Sequence, residues 1–222
     1  VCKDRRVWAL FFIYGLCFGV ELTFASFGAL YFTDYFDYFK QLSTVDAARM
    51  AGFVAAGYGM MNLFARTCGG LISDRCGRKW GLNGRVRFLF AVLFFEGLLL
   101  MLFSQLSSLL IAIPTLMVFA VFVQMSNGAT FSIVPFVNRK ALGSVAGIVG
   151  AGGNAGAIAW GFLFKTDAFT WPTAFLILGA IVTVCSFLAF AVQFSRDAES
   201  EARMITEEAT ARHRRELLGA AT

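Results

Sequence analysis

Long apolar runs alternate with short polar ones along this chain. Six runs are long enough to cross a bilayer core of roughly 30 Å, which takes about 20 apolar residues as a helix. They cover residues 8–32, 47–72, 86–103, 109–131, 141–164 and 174–194. The breaks between them are short or polar: FTDYFDYFKQLSTVD, SDRCGRKWGLNGR, SQLSS, VNRK and KTDAFTWP. The pattern predicts an all-α membrane protein with a six-helix transmembrane bundle over residues 1–195. A polar tail over 196–222 follows, expected to be solvated on the cytoplasmic side, with a regulatory or docking role as its other reading.

Composition agrees with the pattern. The 222 residues are 58% hydrophobic and 15% charged, against roughly 45–50% and about 25% in an ordinary soluble domain. Mean hydropathy is +0.70. Basic residues fix the orientation, because cytoplasmic loops carry the excess of Lys and Arg. Lys3, Arg5 and Arg6 precede the first run. Arg75, Arg78, Lys79, Arg85 and Arg87 lie between the second and third, Arg139 and Lys140 between the fourth and fifth, and Arg196 follows the sixth. The other breaks hold Lys40 and Lys165, with Arg49 at a span edge. Both termini are therefore expected in the cytoplasm. These loops account for the net charge of +5, which implies a lipid bilayer rather than a nucleic acid as partner. The chain opens at Val1 with no cleavable signal pattern, which leaves room for a longer parent protein.

Enzyme chemistry finds little support. Five cysteines form no CxxC pair, and the one histidine, His213, sits in the tail. No metal site, cofactor or catalytic triad is expected. The stretch GIVGAGGNAGAIAWGFLF (147–164) does match the glycine spacing of a dinucleotide-binding turn. Such a turn needs a strand before it and an acid about 20 residues on. Here the run is apolar throughout, and the nearby acid, Asp167, falls in a predicted outer loop. The small residues suit close helix packing instead. Gly143, Gly147, Ala151, Ala155 and Ala159 form one row, and Gly153, Ala157 and Gly161 a second, as a sliding surface for another helix.

A few polar side chains lie inside the apolar runs. Arg66 lies well inside the second, where an arginine costs at least ~2.5–3.5 kcal/mol, and such residues usually line a substrate or ion path. It precedes Asp74 by eight residues, or ~12 Å along a helix, a long way to snorkel. Its guanidinium offers planar, paired donors to an oxyanion. Tyr14 and Phe18 share a face of the first run, one turn apart, and Glu21 falls near that face. Two roles fit Glu21, proton carrier or structural partner. Glu96 in the third run raises the same question more weakly. Asn127 is read as a structural amide, and Asn154 as a donor to an anion.

The break after the second run reads Gly70-Leu-Ile-Ser-Asp74-Arg75-Cys-Gly77-Arg78-Lys79. It resembles the G-x-x-x-D-[RK]-x-G-x-[RK] cytoplasmic loop of the major facilitator superfamily. There the carboxylate bridges helix ends in one conformational state, and Gly77 would permit the tight turn. The superfamily has two six-helix halves with a site between them, so six spans imply one half. Residues 8–23, 57–74 and 128–157 are similar to the nitrate/nitrite porter family, in particular its cyanobacterial and eukaryotic uptake branch. They follow the order of that family's seventh, eighth, tenth and eleventh helices, which implies the C-terminal half and a missing N-terminal partner half. The resemblance implies that Arg66 binds the substrate and that Tyr14 and Phe18 sandwich it. It also brings the signature residues Gly152, Gly153 and Asn154 to the anion. The implied function is proton-coupled uptake of nitrate or nitrite across the plasma (cell inner) membrane by alternating access, with Glu21 as candidate proton carrier. Another anion exchanger of the superfamily, or a membrane nitrate sensor, are the competing readings.

Overall fold

The first helix starts at Asp4, whose side chain accepts a hydrogen bond from the Arg6 N–H at 2.9 Å and so satisfies one of the free donors of the first turn. It runs as α1 (Arg5–Tyr35) until Phe36 turns extended. A short α2 (Asp37–Lys40) leads to Ser43, which caps α3 (Thr44–Met60) by accepting from the Asp46 N–H. Then come α4 (Asn62–Ser104), α5 (Leu109–Val137), α6 (Leu142–Lys165) and α7 (Trp171–Cys185), with 3-10 turns at Arg139–Ala141 and Ser186–Ala191. This computed structural model describes residues 1–165, 168–195, 198–200, 202 and 204. All regular elements among the described residues are helical. The expectations for most of the tail, with Arg196 and His213, and for Asp167 lie outside them.

Five stretches are long and apolar enough to cross a membrane: Arg5–Tyr35, Thr44–Ser104, Leu109–Val137, Arg139–Lys165 and Trp171–Ala191. The sequence predicts six, and the difference lies in the second. It holds 61 residues, which would extend ~92 Å as one straight helix, about three bilayer cores. The chain does not run straight. Helical geometry continues through the polar break expected over 73–85 and gives way at Gly81, with φ 70° and ψ −165°. That left-handed φ suits glycine, which has no Cβ to clash. Gly77, expected to make the turn, lies within the helix beside the Arg85 side chain, so Gly81 takes that role. Residues on the two sides of Gly81 meet: Asp74 and Arg85 form an ion pair, and the Arg85 guanidinium lies 4.8 Å from the Phe136 ring centre.

Helix pairs approach through glycines. A Cβ on Gly156 would strike the Gly15 backbone, and one on Gly152 the Phe11 carbonyl, so α1 and α6 touch along their main chains. Trp160 Nε1 donates to the Gly15 carbonyl at 2.8 Å on the same seam. The first of the expected small-residue rows does not make this contact. Ala151, Ala155 and Ala159 are exposed, and Gly143, Gly147 and Gly161 have open space beside them. The row that packs within the chain is offset to Gly152 and Gly156. A second close approach joins α4 to α5, where a Cβ on Gly69 would meet the Met125 backbone and one on Gly128 the Arg66 carbonyl.

Two apolar cores fill the bundle. One gathers Phe24, Tyr31, Phe32, Phe103, Phe119 and Phe175, and the other Leu10, Ile13, Leu89, Leu93, Ile133 and Val149. The α1 residues Leu16 and Cys17 belong to different cores, so the cores meet there, one turn from Glu21.

Candidate functional site

Glu21 projects from α1 into the bundle and is 8% exposed. A lone buried carboxylate would be very costly, and three donors compensate it. Arg66 Nη2 of α4 and Asn127 Nδ2 of α5 each donate to Glu21 Oε2 at 2.7 Å, and Asn62 Nδ2 of α4 donates to Oε1 at 3.2 Å. Asn62 and Arg66 are four residues apart, hence on one helical face. The close approach of α4 to α5 at Gly128 brings Asn127 to the same carboxylate.

An aromatic platform supports the arginine. The Arg66 guanidinium carbon lies 5.6 Å from the Phe18 ring centre, within range of a cation–π attraction. Phe18 stacks on Tyr14 at 5.0 Å with 4° between ring planes, and Phe131 meets Tyr14 edge-on at 5.0 Å. Gly153 of α6 sits against both stacked rings, where a Cβ would be too close to each. The Arg66 side chain keeps 35% of its surface exposed, against 11% for Glu21. One guanidinium nitrogen thus serves Glu21, Nε is buried without a hydrogen-bond partner, and the side chain as a whole stays partly exposed. Planar donors over an aromatic face suit a small planar anion.

The structure therefore brings together Arg66, Tyr14, Phe18, Gly153 and Glu21. Gly152 lies one residue away, against the Phe11 carbonyl. Asn154 stands apart: it is exposed, and its amide turns back to the Gly150 carbonyl of its own helix at 3.5 Å. Asn127, read from the sequence as a structural amide, makes a bond across helices, to Glu21. Asn62 was not foreseen, although its place one turn before Arg66 was a usable signal. Of the loop motif, Asp74 pairs with Arg85, and Gly70, Arg75, Arg78 and Lys79 lie along α4 near Gly81. The fingerprint glycines 150–153 sit inside α6, with no strand before them.

No model of a known protein family matches the chain. It is 40% identical over 185 residues, 83% of its length, to high affinity nitrate transporter 2.5 of Arabidopsis thaliana, of which it spans 35%. It is 37% identical over 141 residues to the nitrate/nitrite transporter NrtP of Nostoc punctiforme, covering 63% of this chain and 27% of that protein. Its backbone matches that of the xylose transporter XylE from E. coli in an inward-open conformation, with a TM-score of 0.62. That match covers 88% of this chain and 51% of XylE at 15% identity, and so speaks to the fold alone.

Proposed function

The chain is a homologue of the high-affinity nitrate transporters, spanning about a third of their length, and on that premise we propose that it forms the anion-binding half of a nitrate transporter. Gly81 turns the chain between two crossings, so α3 with the first part of α4 makes one and the rest of α4 another, six in all. The match to about half of XylE supports this division, with an N-terminal half as partner. The bundle then rocks against that half in alternating access, both termini in the cytoplasm.

One observation carries the reading: the Arg66 guanidinium, supported by Phe18 and Tyr14, is tied by one nitrogen to Glu21 and partly open on the side the chain leaves uncovered. Nitrate, planar and singly charged, takes the open donors of Arg66 between the aromatic platform and the partner half. An inward-negative potential opposes anion entry by about 2.3 kcal/mol per 100 mV, so uptake draws on protons. Glu21 is the coupling group. Its carboxylate competes with nitrate for Arg66, and a proton on Glu21 removes that competitor.

The test is uptake of labelled nitrate into liposomes holding the full-length transporter. Arg66→Leu is expected to abolish it, while Arg66→Lys keeps a weak residue. Uptake undiminished in Arg66→Leu sinks the assignment, and nitrate binding without accumulation in the wild type identifies a sensor instead.

A further inference from the structure

Ser126 and Asn127, consecutive on α5, hold two different acids: Asn127 donates to Glu21, and the Ser126 hydroxyl lies 2.5 Å from Glu96 Oε2. Glu96 is wholly buried. No ion pair among the described residues includes it, and its Oε1 has no hydrogen-bond partner. The Ser126 Oγ also reaches the Phe122 carbonyl at 2.7 Å. A serine hydroxyl has one proton, and here it stands between two acceptors. If that proton goes to the Phe122 carbonyl, the short contact to Glu96 needs a second proton, which a carboxylic acid supplies. A neutral acid also avoids the desolvation cost of an unpaired buried carboxylate.

We infer that Glu96 is carried as a neutral carboxylic acid and is the internal proton donor to Glu21. The inference rests on the reading of Arg66 and Glu21 as the anion and coupling groups. In the step, an O–H bond breaks at Glu96 and one forms at Glu21, so total charge is unchanged. Arg66 then loses its internal counter-ion to protonation and accepts the external anion. Glu96 is recharged from bulk water before the next cycle. The two carboxyls are close enough to act electrostatically on one another. Cys17 of α1 and Tyr58 of α3 also lie within electrostatic reach of Glu96. From α5 it meets the Ser126 hydroxyl, and the α7 segment Trp171–Cys185 carries no Asp, Glu, Lys or Arg.

Infrared difference spectroscopy on the full-length transporter in liposomes tests this. The wild type at neutral pH is expected to show the carbonyl stretch of a protonated carboxylic acid. Glu96→Gln should remove it and Ser126→Ala should shift it. A wild-type band that persists in Glu96→Gln overturns the inference. Should Glu96→Gln fail to fold, an unshifted band in Ser126→Ala overturns it equally. In transport, Glu96→Gln should lose accumulation driven by a pH gradient, together with the nitrate exchange that depends on a protonated Glu21. Accumulation at the wild-type level overturns the donor role. If the wild type moves no nitrate at all, the transport reading fails alone, and the infrared band still decides the protonation of Glu96.

Discussion

Glu21 and Glu96 are both glutamates inside the bundle, held by neighbouring residues of α5, yet their surroundings differ in kind. Glu21 takes donors on both oxygens, one of them a guanidinium. Glu96 meets a single hydroxyl that has another acceptor of its own. Burial by itself therefore does not decide whether an acid is charged; the partner set does. The two also differ in access, because Glu21 adjoins the partly open Arg66 whereas Glu96 is closed off.

The comparison breaks most readily at Arg66. Replacing it by leucine should lower nitrate uptake by at least about 30-fold, the equivalent of the ~2 kcal/mol or more that truncating a charged hydrogen-bonded contact costs. Next come the two isosteric swaps. Glu21→Gln should destabilise by ~1.5–3 kcal/mol, since it removes hydrogen bonds to a charged group, whereas Glu96→Gln exchanges one neutral group for another and should cost less than ~1 kcal/mol. Equal losses in thermal unfolding of the two variants would end the distinction. Gly153→Ala acts on one side alone. Its methyl group presses on Phe18 and Tyr14, and overpacking of ~1 kcal/mol should weaken nitrate binding about fivefold while leaving the Glu96 infrared band in place. A shift of that band would mean the two acids are not separate sites.

The smallest effect concerns an acid at the membrane edge. Asp4 bonds the Arg6 side chain and caps α1, and these contacts, the side-chain bond first, hold its carboxyl below the ordinary value of 3.8. A lowered value stabilises the fold fully above pH 3.8 and loses that contribution as pH falls through the lower, folded-state value. The loss should stay within ~1 kcal/mol, the scale of a charge at a helix N-terminus. A melting series down the acid range should show it in the wild type and not in Asp4→Asn.

Much of this was legible in the chain. The all-helical, membrane-spanning architecture follows from the lengths of the apolar runs. The helix face shared by Tyr14 and Phe18 follows from a spacing of four residues. Asn154 lies apart from the side chains that meet at Glu21, because spacing cannot say which face of a helix turns inward. Gly77 was chosen over Gly81 for the turn because both stand in the same polar stretch, and helix–helix packing selects between them.

The sequence by itself determined that this is a helical membrane protein, because length and apolarity are local properties, and its porter-like stretches carried the relation to nitrate transporters. Only the tertiary structure decided which buried groups meet. Asn62, Arg66 and Asn127 converge on Glu21 from positions 41, 45 and 106 residues away. That convergence depends on how closely α4 and α5 pack at Gly69 and Gly128, and nothing local to any one of these residues encodes it.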